Sequence, residues 1–183
     1  MRVIAGSAKS MPLKTIQGMD TRPTTDRIKE TLFNMIQPYL CGCRFLDLFA
    51  GSGGIGIEAL SRGADFCTFL EKNKRASAVI EENLRFTRLK DKAQVYCCDV
   101  FRGLVSMEQE EPFDCIFMDP PYDKELEKQV LQVLQDAPYV TGETLIIVEA
   151  SLETSFDYLE EYGFSIVREK RYKTNQHIFL RKN

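Results

Sequence analysis

Short apolar runs alternate with amphipathic stretches from residue 45 to the end of the chain. Runs of mostly apolar residues predict strands at 45–49, 66–71, 94–99, 113–119, 144–149, 164–169 and 176–181. Stretches with helical spacing of apolar residues predict helices at 55–61, 74–85, 126–134 and 156–162. Apolar strands separated by helices are typical of a parallel sheet with helices on both faces. The last two strands flank a short polar turn, so an antiparallel hairpin at the sheet edge is expected. The pattern predicts an α/β, Rossmann-like fold with a mostly parallel seven-stranded sheet.

The chain before residue 45 has a different pattern. Its first twenty residues contain short apolar pieces interrupted by Gly6, Pro12 and Gly18, which predicts a small hairpin or an extended arm. A helix is expected next, capped by a residue among 24–26 and ended by Pro38. Residues 1–21 are therefore interpreted as an N-terminal extension, and residues 22–183 as the main domain.

A glycine loop follows the first predicted strand, in the stretch FLDLFAGSGGIG. Gly51, Gly53 and Gly56 satisfy the dinucleotide pattern G-x-G-x-x-G, and Glu71 follows Gly51 by twenty residues, where an acid binds a ribose. NAD is one ligand that fits this pattern. It leaves Asp99 and Asp119, at the ends of two further strands, without roles, and an acid inside the first strand is unusual for an NAD site.

S-adenosylmethionine gives each of these residues a role. Its methionine end would lie over the glycine loop near the helix N-terminus, and Glu71 would accept hydrogen bonds from both ribose hydroxyls. Asp99 would accept from the adenine amino group, while Val100 or Phe101 packs against the ring. A purely structural interpretation remains for each position: a tight turn, a solvated strand end, a helix cap. The predicted cofactor site comprises Asp47, Phe49, Gly51, Ser52, Gly53, Gly56, Glu71, Lys72, Asp99, Val100 and Phe101.

The fourth of these strands ends in the tetrapeptide Asp119, Pro120, Pro121 and Tyr122. Two prolines remove two backbone donors and stiffen the turn, which suits a site that accepts hydrogen bonds from a substrate amine. The Asp119 carboxylate and the Pro120 carbonyl would hold the amine, and Tyr122 would stack on a base that is single-stranded or flipped out. These four residues are the predicted catalytic group, and catalysis would rest on positioning and electrostatics without a metal.

Composition and charge narrow the classes of protein. No apolar run approaches the roughly 18 residues that a membrane span needs, and the N-terminus does not look like a signal peptide, so a cytoplasmic protein is expected. The six cysteines form no C-x-x-C pair and are expected to be reduced, buried and structural. The single histidine, His177, argues against a His-based hydrolase and is expected to be a half-exposed strand residue.

Residues 93–167 carry three Lys/Arg against sixteen Asp/Glu, whereas both termini are basic, and a basic face is sufficient to bind a polyanion.

These motifs resemble those of a known family. The glycine loop, the strand-end acids and the Asp-Pro-Pro-Tyr turn resemble the class I, S-adenosylmethionine-dependent methyltransferases that modify amino groups. The start MRVIAG, the segment RPTTDRIKETLFN at 22–34 and the overall length resemble the bacterial RsmD family. The resemblance implies methyl transfer to the N2 amine of a guanine in 16S ribosomal RNA, with S-adenosylhomocysteine as product. The implied partner is that RNA or a partly assembled small ribosomal subunit, and the protein is expected to be a monomer.

The N-terminal arm departs from the family pattern G-x-x-K-G-R-x-L, because Ser10 and Met11 replace its glycine and arginine. One cation of the arm is therefore absent. The remaining candidates for phosphate contacts are Arg2, Lys9, Lys14, Arg22 and Arg27. Arg22 and Arg27 have an alternative role, in which they tie the N-terminal helix to the rim of the sheet.

Three alternatives to this function remain open. An adenine-N6 or cytosine-N4 methyltransferase would use the same turn on a different base, although no separate target-recognition domain is evident. A non-catalytic RNA-binding assembly factor would keep the fold without the chemistry. An NAD oxidoreductase would leave the Asp-Pro-Pro-Tyr turn unexplained.

Overall fold

The computed structural model describes residues 1–16, 25–122 and 124–183. Within these residues the α-helices are α1 (Asp26–Leu40), α2 (Gly54–Ser61), α3 (Lys74–Phe86), α4 (Val100–Ser106) and α5 (Leu126–Leu134). The strands are β1 (Arg44–Leu48), β2 (Phe66–Leu70), β3 (Ala93–Tyr96), β4 (Cys115–Met118), β5 (Leu145–Ala150), β6 (Phe164–Arg171) and β7 (Gln176–Lys182). Two short 3₁₀ helices span Lys90–Lys92 and Glu160–Tyr162.

The strands form one seven-stranded sheet in the order β3-β2-β1-β4-β5-β7-β6. The first five strands run parallel, and β7 pairs antiparallel with both β5 and β6. The strand order reverses between β1 and β4, and a ligand of such a sheet binds at the carboxyl ends of the strands near that point. The expected Rossmann-like sheet with an antiparallel C-terminal hairpin is confirmed.

Helices cover both faces of the sheet, as the pattern predicts. Alternate side chains of β1 and β4 enter two apolar cores, because successive residues of a strand point to opposite faces. One core includes Phe45 and Phe117 with α1, α2 and α3, and the other includes Leu46 and Met118 with α4 and α5.

The N-terminal residues form a small hairpin that packs against α2. Arg2 and Pro12 form an antiparallel bridge, and the Val3 amide donates to the Met11 carbonyl at 3.0 Å. The buried carboxylate of Glu58 in α2 accepts hydrogen bonds from the amides at positions 4 and 5, at 2.8 and 3.0 Å. The expected division between extension and main domain falls at residues 21 and 22, which lie outside the described residues, so it stays a prediction.

Some local expectations are wrong. Helix α1 begins after Thr25, whose hydroxyl accepts from the Ile28 amide at 3.3 Å, but Pro38 does not end it. The helix continues to Leu40, because the side chains of Ile36 and Leu40 are buried in the core and this packing outweighs the one hydrogen bond that the proline removes. Only the last turn of the helix expected at 156–162 is present, as 3₁₀ helix. Helix α4 was not expected, although Asp99 caps it and the apolar residues at 100 and 104 mark its buried side.

Two expectations about burial are also wrong. His177 is fully buried rather than half-exposed, since its imidazole packs against Phe117 and lies 3.1 Å from a carboxylate oxygen of Glu149. The thiols of Cys43, Cys67 and Cys115 are buried as expected, but Cys41 and Cys97 are exposed, because both follow the end of a regular element.

Candidate active site

A cleft of about 260 Å³ lies at the carboxyl ends of the parallel strands. Most of the residues that the sequence assigns to the cofactor site line this cleft, together with two residues of the β4 turn. They are Asp47, Phe49, Gly51, Ser52, Glu71, Lys72, Asp99, Val100, Phe101, Asp119 and Pro121. Gly53, Gly56, Pro120 and Tyr122 are not part of its lining.

Asp47 connects strand β1 to the start of α2. Its carboxylate is buried and accepts a hydrogen bond from the Gly56 amide at 2.9 Å. A Cβ on Gly56 would stand 2.3 Å from the ring of Phe69, so this glycine permits the close approach of α2 to the sheet. Burial raises the pKa of Asp47 to about 7, and the nearby charge of Glu71 adds to the increase, while the hydrogen bond from Gly56 opposes it. Gly56 therefore does not line the cleft but holds Asp47, which does, through this hydrogen bond.

The glycine loop leaves space above α2. Gly51 has a φ of +57°, a conformation that favours glycine, and a Cβ added there would meet no atom of the described residues within 4 Å. Phe49, with φ of +61°, adopts the same left-handed region without being glycine. With Gly53, whose φ is +80°, the loop has three left-handed residues on its way from β1 to α2, and its open side faces the cleft.

Glu71 follows β2 and is held by two backbone amides. One carboxylate oxygen accepts from the Gly51 amide at 2.8 Å and the other from the Asn73 amide at 2.7 Å. The side chain is largely buried, at 7% exposure, yet it lines the cleft. Since each carboxylate oxygen offers about two acceptor positions, Glu71 keeps one position per oxygen for a ligand with paired hydroxyls.

Asp99 is the N-cap of α4 and also lines the cleft. One carboxylate oxygen accepts a hydrogen bond from the Phe101 amide at 3.0 Å. Asp99 therefore has the role of helix cap, which the sequence left open as an alternative to cofactor binding. Asp99 is exposed and its other oxygen remains an available acceptor. Val100 is buried and Phe101 half-buried beside it, which gives the cleft an apolar wall next to a hydrogen-bond acceptor.

The turn after β4 carries Asp119 to the same rim. Burial raises the pKa of Asp119 well above its usual value, and the negative charges of Glu149 and Asp47 raise it further. Tyr122 is 42% exposed, so its ring is accessible from solvent. Asp119 thus lies at the junction between the cleft and an open aromatic side chain.

The predicted RNA-binding cations lie on the N-terminal hairpin and α1. Arg2 forms an exposed ion pair with Asp26 at 2.9 Å, and Lys14 forms one with Glu82 at 2.6 Å. Lys9 and Arg27 are exposed. Arg22 lies outside the described residues.

Sequence reasoning missed the contribution of the N-terminal segment to the cleft. Met1, Thr15 and Ile16 line it, and so does the buried Lys29 of α1. The Lys29 ammonium lies 3.2 Å from a carboxylate oxygen of Glu58 and donates to the Arg2 carbonyl at 2.5 Å. Burial lowers the pKa of Lys29, and the charge of Glu58 opposes this change. A lysine on the apolar side of a predicted helix was the available signal.

Two absences hold for the described part of the chain. No cluster of three or more His, Cys, Asp or Glu side chains there is arranged to bind a metal ion. No helix there has the length and apolar character of a membrane span.

The family described as Conserved hypothetical protein 95 matches residues 1–181 of the chain. The chain belongs to this family. It is 45% identical over 154 residues to the Putative rRNA methyltransferase YlbH of Bacillus subtilis, covering 84% of both chains. It is 34% identical over 170 residues to the Ribosomal RNA small subunit methyltransferase D of Escherichia coli, covering 93% of this chain and 84% of the relative.

A solved structure supports the family fold along the whole chain. The Putative methyltransferase yhhF from Escherichia coli superposes with a TM-score of 0.88 at 32% identity, covering 100% of this chain and 98% of that one. These relatives confirm that the chain resembles the RsmD family.

Proposed function

We propose that this protein transfers a methyl group from S-adenosylmethionine to the N2 amine of a guanine in 16S ribosomal RNA. The observation that carries the proposal is the Asp119 to Tyr122 turn at the edge of the cleft that also contains Glu71. The substrate class follows from the relatives named rRNA methyltransferases. This substrate would place the protein in the cytoplasm, and we expect it to act as a monomer.

The cleft suits S-adenosylmethionine in three respects. Glu71 has two remaining acceptor positions for the ribose hydroxyls, and Asp99 has a free oxygen for the adenine amino group beside the apolar Phe101. The open side of Gly51 provides room for the methionine portion next to the α2 N-terminus. When bound, the cofactor supplies an electrophilic methyl group on a positively charged sulfur.

Asp119 and Pro120 orient the target amine. An exocyclic amine is a poor nucleophile, because its lone pair is delocalised into the ring. Hydrogen bonds from its two protons to the Asp119 carboxylate and the Pro120 carbonyl hold the nitrogen with its lone pair directed at the methyl group. Tyr122 stacks on the flipped or unpaired base, and this stacking positions the ring.

Asp119 also accepts the proton that the amine loses. As the nitrogen–carbon bond forms, the bond between sulfur and the methyl carbon would break with its electron pair remaining on sulfur. The nitrogen then carries a positive charge and returns to neutrality by releasing one proton. Burial and the charge of Glu149 raise the pKa of Asp119, and a higher pKa makes its carboxylate a better proton acceptor.

Phosphate contacts come from the exposed cations of the N-terminal region. Lys9 and Arg27 are exposed, whereas Arg2 and Lys14 would exchange their surface ion pairs with Asp26 and Glu82 for phosphates. Exposed ion pairs contribute only about 0.2–1 kcal/mol, so this exchange is inexpensive. Arg22 completes the proposed set of cations.

The test is transfer of labelled methyl from S-adenosylmethionine to unmodified 16S RNA, small-subunit particles and DNA. N2-methylguanosine among the digested nucleosides is expected, and equal transfer to free RNA and particles would show that ribosomal proteins are not needed. We expect Asp119→Ala to reduce kcat/KM by about 10²–10⁴-fold, since it removes both a hydrogen-bond acceptor and a proton acceptor. Asp119→Asn retains an acceptor and is expected to lose less.

The exposed Asp136 at the end of α5 provides the matched control, and Asp136→Asn is expected to retain full activity. Binding of S-adenosylhomocysteine should be similar in all variants. Methyladenine or methylcytosine as product would contradict the proposed base. Cofactor binding without transfer to any substrate would instead support an assembly factor.

A further inference from the structure

Glu149 lies next to Asp119 on the same face of the sheet. Met118 of β4 pairs with Val148 of β5, so the following residues, Asp119 and Glu149, are neighbours across two parallel strands. Alternation along the strands places both on the face that includes Phe117. Burial is the main cause of the raised pKa of both Asp119 and Tyr122, and the negative charge of Glu149 raises each further, which is consistent with its closeness to both.

The carboxylate of Glu149 is buried and held in one orientation by the β6–β7 hairpin. One oxygen accepts from the Asn175 side-chain amide at 2.6 Å, and the other lies 3.1 Å from Nε2 of His177. His177 is itself fixed in position, because it is fully buried and packs edge-on against Phe117. Its Nδ1 lies 3.4 Å from the hydroxyl of Tyr172. Glu149 is thus pre-oriented rather than free to rotate.

This cluster has more acceptors than donors. Among the residues that the structure describes, neither a lysine nor an arginine pairs with Glu149. Its two oxygens offer about four acceptor positions, of which two are used. Among the described residues, the Asn175 carbonyl oxygen is buried without a hydrogen-bond partner. A buried group of acceptors that lacks donors is costly by itself and is suited to a ligand that brings N–H groups.

Guanine differs from adenine and cytosine in the atom next to the reactive amine. Beside its N2 amine, guanine has N1–H, a donor. The atom beside the amine is N1 in adenine and N3 in cytosine, and both are acceptors. A carboxylate next to Asp119 therefore pairs with guanine and repels the other two bases.

We propose that Glu149 accepts a hydrogen bond from N1–H of the target guanine while Asp119 holds the N2 amine, so that Glu149 selects the base. This inference rests on the proposed function and identifies the residue that determines its specificity. Asn175 and His177 are positioning residues that keep the carboxylate directed at the base. A site built to bind a substrate N–H rejects an analogue without it by about 10⁴–10⁵-fold in favourable cases, because a buried acceptor is left unpaired.

The test replaces the target guanine, once it has been mapped, by 2-aminopurine. This base keeps the amine at carbon 2, but its N1 is an acceptor. We expect the wild-type protein to prefer guanine by more than 100-fold in kcat/KM. Glu149→Gln should reduce this preference at least tenfold, because a carboxamide can turn its NH₂ towards N1. The comparison between the two proteins cancels the different intrinsic reactivities of the two amines.

Glu143→Gln is the matched control, since Glu143 precedes the opposite end of β5 with its side chain 94% exposed, and its preference should equal that of wild type. Thermal unfolding and S-adenosylhomocysteine binding report whether Glu149→Gln folds. If it does not fold, the wild-type preference alone decides: similar rates on guanine and 2-aminopurine overturn the inference and leave the proposed function intact. Absence of transfer to guanine overturns both.

Discussion

Two carboxyl groups of the site, Asp47 and Asp119, lie where their charged forms are disfavoured. Burial is the main cause for both, and each also experiences a neighbouring carboxylate, Glu71 for the first and Glu149 for the second. A cofactor with a positive sulfur would reverse this situation by favouring the charged forms. The two buried carboxyl groups therefore destabilise the folded protein when they are charged, by an amount that depends on pH.

Asp47→Asn should remove a pH-dependent cost from the folded state. The pKa of Asp47 is raised to about 7 from an ordinary value near 3.8. A group with a raised pKa favours folding below its unfolded pKa, and that contribution is lost as the pH rises through the folded pKa. We expect the wild-type protein to lose stability relative to the variant between about pH 4 and pH 8, by about 1.4 kcal/mol for each unit of pKa shift.

Urea unfolding at several pH values measures this difference. Asparagine can still accept the hydrogen bond from Gly56 through its carbonyl oxygen, so the comparison isolates the charge. Asp114→Asn, at an exposed position whose carboxylate also accepts a backbone hydrogen bond, serves as control. Stability curves that run parallel for wild type and Asp47→Asn would show that Asp47 does not titrate in this range.

The glycine loop is attached to its surroundings by one side chain of α3. The carbonyl oxygen of the Asn83 side chain accepts from the Lys14 amide at 2.9 Å, and its NH₂ donates to the carbonyls of Lys14 and Ser52, both at 3.0 Å. Asn83 is 1% exposed. It therefore links three segments: the N-terminal hairpin, the helix and the loop that lines the cleft.

Asn83→Asp should weaken both folding and cofactor binding. The substitution preserves shape but places a carboxylate against two carbonyl oxygens, and a buried group with unmet hydrogen bonds costs at least about 1–3 kcal/mol. We expect a loss of that size or more in the free energy of unfolding and about tenfold weaker S-adenosylhomocysteine binding by calorimetry, equivalent to roughly 1.4 kcal/mol. Asn34→Asp, on the exposed side of α1, should change either quantity by little. Unchanged affinity in Asn83→Asp would show that the loop position does not depend on this link.

The hairpin has a strained turn at a residue that is not glycine. Ser10 has a φ of +66°, and its amide donates to the Val3 carbonyl at 2.8 Å. A residue other than glycine in the left-handed region destabilises the folded state by roughly 1–2 kcal/mol. Replacing it by glycine relieves this strain, but part of the gain is lost because glycine gives up more conformational freedom on folding. We expect Ser10→Gly to raise the free energy of unfolding by about 0.5–1 kcal/mol. Ser7→Gly, where φ is not positive, should lower it instead. A loss of stability in Ser10→Gly would contradict the strain argument.

The elements that the sequence predicts well are those with a strong local pattern. The strands of the parallel sheet are mostly apolar, and helix α5 matches its expected bounds, 126–134, because the apolar spacing and the flanking polar residues agree. Helix α4 was missed since it has only seven residues and its cap, Asp99, was assigned to the cofactor. Long-range contacts have no such local signal. The burial of His177 against Glu149 depends on pairing between β5 and β7, which no spacing along the chain reveals.

At the level of the whole molecule, the N-terminal hairpin completes the cleft that the sheet begins. Met1, Thr15 and Ile16 line the cleft together with the residues at the strand ends. The hairpin is attached to α2 through Glu58 and Ser61, and the latter accepts from the Ser7 amide at 2.8 Å. The sequence located the rim of the sheet but not this wall, because the contacts join residues more than fifty positions apart. The docking of the hairpin and the binding of the cofactor should therefore be linked.

Gly6→Ala tests this link, because it prevents the hairpin from docking without altering any residue of the cleft. Gly6 has a φ of +82°, and a Cβ there would stand 1.7 Å from the Ser61 carbonyl oxygen. Gly163→Ala is the matched control, since Gly163 has a φ of +71° but no atom of the described residues within 4 Å of its Cβ position. The control should lose about 1 kcal/mol of stability from backbone strain alone. We expect Gly6→Ala to lose at least about 2 kcal/mol more stability than the control, which is the range of overpacked sites.

Gly6→Ala should also show faster amide hydrogen exchange at Ser7 and weaker S-adenosylhomocysteine binding. Equal losses in the two variants, or normal cofactor affinity with an exchanging hairpin, would show that the sheet rim binds the cofactor without this wall.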